Sequence, residues 1–251
     1  MAKILRSETS LGCRESELRR ELARTFWLRL AAWGPVAVLS ILLAVAAVRR
    51  ASPWPLAGIP VLALLGLGVE LRRREMADEV RNLEGGRRGE NKMASILAER
   101  LADDHLILND LELRLGHDRA QIDHLVLAPS GIYVIESKYW AGTLSGDVLD
   151  SNWTQKNHGI PRTVKSPVKQ VERQRRMLIS LFNLRIPDDR IHPMAVFTHP
   201  RARLEIRGAA GHVFTLNQAV RYINDHCFDP PVLSPSDLRS LADDILRHQQ
   251  P

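Results

Sequence analysis

Apolar and polar positions change rhythm along this chain. Residues 30–48 and 51–69 are two runs of 19 residues without a charged side chain, interrupted by Arg49 and Arg50. Charges then dominate from residue 72 to 88, ending in Gly85-Gly86 and Arg87-Arg88, which reads as a charged linker. From about 89 to 102, Glu90, Met93, Leu97 and Leu101 recur at helical spacing, so a helix is expected with Glu90 on its buried stripe. Residues 105–109 and 111–115 are strand-like, the second strictly alternating with Glu112 and Arg114 outside.

The most informative alternation lies in QIDHLVLAPSGIYVIESKY, residues 121–139. Two alternating runs flank Pro129, Ser130 and Gly131, a turn signal that predicts a β-hairpin. With Pro129 and Ser130 as a two-residue loop, Ala128 faces Gly131, and the same register places Asp123 across from Glu136. Their Cβ atoms would then be roughly 5 Å apart, and Lys138 would follow on the same face. Like charges set opposite one another destabilise a sheet, so a purely structural protein has little use for them. A hard divalent cation does, because Mg²⁺ takes one or two carboxylates together with water and phosphate oxygens. A neighbouring ammonium can orient a water or steady negative charge during phosphodiester cleavage.

Farther on, Gly142, Gly146 and alternating residues between Trp140 and Trp153 predict another hairpin. Its tryptophans suit core packing more often than base stacking. Ser166 followed by Pro167 signals a helix start, with Gln170 in its first turn. Residues 194–198 and 212–216 read as strands, Asn217 as a helix cap, and 236–247 as a final amphipathic helix. His124 alternates to the face opposite Asp123 and reads as a packing histidine.

The two uncharged runs change the picture at the N-terminus. Nineteen helical residues span about 28 Å, close to the hydrocarbon thickness of a bilayer. They predict a transmembrane hairpin of two spans within 30–71, with Trp27, Trp33 and Trp54 near its interfaces. Arginines flank the pair more heavily than its link, which implies a cytoplasmic segment 1–29 and a cytoplasmic C-terminal domain, 89–251. The lipid bilayer is thus an expected partner. The second run could instead be re-entrant. No cleaved signal peptide is legible.

Composition adds little beyond this. Net charge is +6, but residues 1–74 hold 12 basic against 5 acidic side chains, so the excess is N-terminal. The one locally basic tract in the remainder is 156–176, with seven basic residues and Glu172, able to meet phosphates or simply to be a solvated face. Cys13 and Cys227 form no metal-binding motif and fit a reducing compartment. Neither a glycine-rich phosphate loop nor a GxSxG elbow occurs.

An aspartate followed on the next strand by Glu-x-Lys resembles the PD-(D/E)xK nuclease superfamily. With Gly89-Glu90 upstream and Pro167-Val168-Lys169-Gln170 downstream, residues 85–184 resemble the nuclease-related domain, NERD. The resemblance implies an α/β (α+β) restriction-endonuclease-like mixed sheet flanked by helices. It implies a Mg²⁺- or Mn²⁺-dependent nuclease acting on nucleic acid, DNA in the first instance, with Asp123, Glu136 and the Ser137 carbonyl at the metal. Lys138 would act on the attacking water or the transition state, and Glu90 and Gln170 would complete the site. A catalytically silent nucleic-acid-binding or membrane scaffold module is the alternative, which the full Asp, Glu and Lys set disfavours.

Overall fold

The computed structural model describes residues 3–6, 18–21, 23, 27, 31, 33–42, 45, 46, 49 and 59–249. The chain divides into two compact units, Leu11–Gly85 and a larger one made of Met1–Ser10 with Gly86–Pro251.

In the smaller unit, residues 33–42 are helical, and a long helix, α1 (Ile59–Arg100), begins and continues past its boundary. Gly66 lets the Trp33 ring approach, since a Cβ there would meet Trp33 Cε2 at 2.8 Å. The expected membrane hairpin is corrected here. Among the described residues no helix is long and apolar enough to cross a membrane. The apolar start of α1 is Ile59 to Val69, and Glu70 and Arg72 to Arg74 follow at once. Eleven residues span about 16 Å, roughly half of a bilayer's hydrocarbon layer. Residues 51–58 and parts of 1–50, including Cys13, lie outside the described residues. The expected linker 72–88 is helical throughout. Its Leu, Met, Glu and Arg residues favour helix enough to carry Gly85 and Gly86, each of which costs about 1 kcal/mol relative to alanine.

The larger unit is a mixed α/β structure built on two sheets. The first has six strands in the order β1-β2-β3-β4-β8-β10: β1 (Lys3–Arg6), β2 (Leu106–Leu115), β3 (Asp118–Ala128), β4 (Gly131–Lys138), β8 (Ile191–Phe197) and β10 (Val213–Thr215). Strands β2, β3 and β4 form an antiparallel meander, whereas β1, β8 and β10 pair in parallel. The β3–β4 turn is the two-residue loop expected, with Ala128 facing Gly131 and His124 facing Ile135.

Both faces of this sheet are covered. On one side, Val126, Tyr133, Ile135 and Met194 pack against Met93 and Leu97 of α1 and Leu101 just past its end. Ala219, Val220 and Ile223 of α3 (Leu216–Asp225) complete that layer. On the other side, Leu125, Leu127, Ile132 and Val134 meet Val171 and Leu178 of α2 (Pro167–Phe182). Leu238, Ala242 and Ile245 of α4 (Pro235–His248) add to it. Strand alternation produces this division, since successive side chains leave opposite faces. The N-cap of α3 is Thr215, reciprocated by Gln218, two residues earlier than Asn217 would have set it.

Between the parallel neighbours β4 and β8 the chain inserts α2 and three strands of a second sheet, whose fourth strand follows β8. Its four strands lie in the order β7-β6-β5-β9: β5 (Gly142–Asp147), β6 (Asn152–Asn157), β7 (Ile160–Lys165) and β9 (Ala202–Arg207). Its inner face carries Leu144, Trp153, Val164 and Leu204 onto Phe197 and Val168. Trp140 and Trp153 lie 5.9 and 6.3 Å from the Phe197 ring, so both tryptophans belong to this core.

Candidate active site

The β2–β3–β4 meander changes character at one transverse line. Pairing of β2 with β3 skips a single step, between Asn109↔His124 and Leu111↔Ile122. That step is Asp110 facing Asp123. Asp110 has a left-handed backbone (φ 53°), a conformation that Asp tolerates better than most residues. Leu108 and Leu111 consequently pack in the same hydrophobic layer, as do Leu125 and Ile122, although each pair is three residues apart. Both strands therefore exchange faces at the two aspartates. The β3–β4 ladder stops at His124↔Ile135, one step before Asp123 would meet Glu136. Three carboxylates thus fall on one line across three strands, where regular pairing gives way.

Side chains take over from the ladder at this point. The Ser137 backbone N–H donates to Asp123 Oδ2 at 2.8 Å, and Ser137 Oγ lies 3.3 Å from the same oxygen. Lys138 Nζ pairs with Glu136 Oε1. Glu136 Oε2 accepts from Gln174 Nε2 at 2.6 Å, and the same amide nitrogen donates to the Gln121 carbonyl at 2.6 Å. Because both partners are acceptors, the orientation of the Gln174 amide is settled. Its Oε1 is buried without a hydrogen-bond partner. Gln121 Nε2 in turn donates to Asp110 Oδ1 at 2.5 Å.

Glu90 enters from α1 and is partly buried. Its preceding residue must be small: a Cβ on Gly89 would sit 2.6 Å from Thr198 Oγ1 and 3.0 Å from Tyr139 Cβ. Burial, then the charges of Asp110 and Glu136, push the Glu90 carboxyl up to about 7, against a smaller opposing pull from Lys138. Burial followed by Glu136 and Glu90 likewise holds Asp123 well above the usual carboxylate range. Burial alone would lower Lys138, but Glu136, Asp123 and Glu90 together hold it above its ordinary value. The site gathers several carboxyls around a single ammonium.

His124 supports it from below. Burial lowers its pKa to about 3, so the ring is neutral. Nδ1 lies 2.8 Å from Asn109 Oδ1 and therefore carries the hydrogen, leaving Nε2 as an acceptor 3.5 Å from Ser137 Oγ.

The structure therefore gathers Glu90, Asp123, Glu136, Ser137 and Lys138. It does not bring Gln170 to them. Gln170 is exposed, and among the described residues no hydrogen bond ties it to either carboxylate. The glutamine at the site is Gln174, one turn later. The sequence does carry a signal for it, a polar residue between Val171 and Met177 on the buried stripe of α2. Asp110 was also missed, and its mark is an acid interrupting two apolar strand runs.

The donor set is hard oxygen, and the amide that holds Glu136 has its own oxygen buried without a partner, which suits a small divalent cation that keeps several waters. Among the described residues no group of three or more His, Cys, Asp or Glu side chains is arranged to hold a metal ion by itself. Any cation here would complete its shell with water or substrate oxygens.

Residues 85–198 match the model of the NERD, or nuclease-related domain, family. An uncharacterized protein of Bacillus anthracis is 24% identical over 145 residues, which cover 56% of this chain and 66% of that protein. The alignment thus spans just under two thirds of the relative's length. A solved structure, protein VC1899 from Vibrio cholerae, aligns over 97% of this chain and 57% of its own at 11% identity, with a TM-score of 0.23 that carries no argument about fold. Residues 85–198, which hold Asp123, Glu136 and Lys138 at the break in the meander, are the part of the chain that is similar to the nuclease-related domain family.

Proposed function

We propose that this protein hydrolyses phosphodiester bonds of nucleic acid, DNA in the first instance, with the help of Mg²⁺ or Mn²⁺. The observation that carries the reading is the juxtaposition of Asp123, Glu136 and Lys138 where the β3–β4 ladder gives way to side-chain contacts. Like charges gathered in a desolvated site cost stability, and a cation that neutralises them explains why they are kept.

In this reading Asp123 and Glu136 would hold the ion, with the backbone at Ser137 beside it. A bound Mg²⁺ supplies Lewis-acid polarisation of the phosphoryl group and acidifies an adjacent water. Lys138, paired with Glu136, would offer its ammonium to the negative charge that builds on the phosphate during attack. Gln174 holds the second oxygen of Glu136 so that the carboxylate keeps one orientation. Glu90 would add a further carboxyl from the α1 side of the site.

Incubating the full chain with plasmid DNA and with labelled oligonucleotides, with Mg²⁺, Mn²⁺ or EDTA, tests the reading. Cleavage that requires the ion and disappears in Asp123→Asn and Glu136→Gln is expected. A parent protein that neither cleaves nor is thermally stabilised by either ion would overturn it.

A further inference from the structure

The second sheet presents its outer face to solvent, and that face is unlike the rest of the domain. Register across β7, β6, β5 and β9 aligns Pro161, Lys156, Thr143 and Arg203 in one row. The next row on the same face is Thr163, Thr154, Ser145 and Glu205, and the last is Lys165 and Asn152 with Asp147 and Arg207. The alternate residues, Leu144, Trp153, Val164 and Leu204, are the ones packed inward. The exposed side is therefore rich in hydroxyls and basic.

Its charges are largely unspent. Arg207 pairs with Asp147 at 3.4 Å. Lys156, Lys165 and Arg203 form no ion pair among the described residues, and nor does Arg201, which flanks β9. Glu205 is the one acid on the middle row. Small hydroxyls and amides between cations suit phosphate oxygens, which accept hydrogen bonds from Ser, Thr and Asn as well as from Lys and Arg. The outer rows carry no aromatic side chain. Both tryptophans nearby are committed to the inner face. A platform that binds single strands stacks bases on exposed rings, and this one has none to offer.

The face is also joined to the candidate site. Thr143 lies five residues beyond Lys138, and Lys165 leads through Ser166 into α2, which carries Gln174. Neighbouring strands are about 4.8 Å apart, so Lys156 and Arg203, two strands apart, are separated by about 10 Å at their backbones. That spread is comparable with the roughly 12 Å width of a major groove, so cations on either side can meet phosphates of two strands.

We infer that the outer face of the β7-β6-β5-β9 sheet is a docking surface for the sugar-phosphate backbone of a double-stranded nucleic acid, read without base recognition. The inference rests on the nuclease reading above and names the form of substrate that reading leaves open.

The test measures binding of the full chain to a 20-base-pair duplex (~20, long enough for several phosphate contacts) and to its separate strands, in EDTA, across a salt series. The duplex should bind more tightly than either strand. Lys156→Ala, Lys165→Ala and Arg203→Ala combined should weaken duplex binding on the order of 10²-fold near 0.1 M salt and flatten the salt slope by about 2 to 3. Replacing the two lysines with arginine should preserve binding, which separates charge from folding. Arg221→Ala with Arg239→Ala, on α3 and α4, should leave it unchanged. Tighter binding of single strands, or a triple variant with the parent's affinity and slope, would overturn the surface while leaving the nuclease reading standing. A parent that binds no nucleic acid at all would overturn both.

Discussion

Replacing Glu90 by glutamine removes a charge that the folded protein accommodates poorly, and the size of the effect follows from the site. The carboxyl titrates at about 7 in the fold against an ordinary 4.5. Because the folded value is the higher one, the folded state holds the proton more tightly. Its contribution to stability is complete below pH 4.5 and is lost as pH rises through 7. Linkage puts the cost of ionised Glu90 at about 1 kcal/mol at pH 5 and about 3 kcal/mol at pH 8. Partial exposure screens the group, so the realised difference is reduced to about 1–2 kcal/mol. For a unit of this size that corresponds to about 3–6 °C in Tm. Glu90→Gln melted in EDTA should therefore exceed the parent by that margin more at pH 8 than at pH 5. Asp123, whose carboxyl is raised in part by Glu90, should lose some of its own penalty in the same variant. A Tm difference between variant and parent that is the same at both pH values would refute the reasoning, because it would mean that Glu90 is neither buried nor close to the other carboxylates.

Other consequences are as direct. Asp123→Asn should abolish metal-dependent cleavage, keep or raise the Tm without metal, and shrink the stabilisation by Mg²⁺, all readable from one set of melts and digests. Lys138→Met keeps the aliphatic stem and should lower the cleavage rate on the order of 10²-fold without weakening the metal. Gln174→Leu leaves Glu136 Oε2 and the Gln121 carbonyl without their donor and should cost about 1–3 kcal/mol in denaturant unfolding, whereas Gln170→Leu should be near neutral in the same measurement. Gly89→Ala forces α1 away from Thr198 and Tyr139 and should destabilise by about 1–3 kcal/mol, with partial recovery when Thr198→Ala removes the nearer clash.

Local alternation was enough to predict the hairpin, its two-residue turn and the register that carries Asp123 towards Glu136. Those features depend on side chains and torsions within a few residues of one another, and turn geometry transmits them along the strands. Ser166-Pro167 likewise marked the start of α2, because a proline at the first helical position gives up only an N–H that has no partner there. The nuclease-related segment was legible for the same reason, its signatures being short and local.

What the sequence left undecided depends on contacts between distant residues. Nothing near Asp110 announces that its left-handed backbone will turn two strands over and bring a further carboxylate beside Glu90; that follows from how β2 and β3 must bury Leu108, Leu111, Ile122 and Leu125 in one layer. The choice of Gln174 over Gln170 is a matter of which face α2 lays on the sheet, fixed by Val171 and Leu178 rather than by either glutamine. The apolar run after residue 51 reads as a membrane span when counted by itself. In the fold its last eleven residues open a helix that carries straight on through Glu70 and the arginines, because backbone hydrogen bonding propagates through any residue that tolerates helix, charged or not. Periodicity fixes which way a backbone runs; only packing decides which polar groups it brings together.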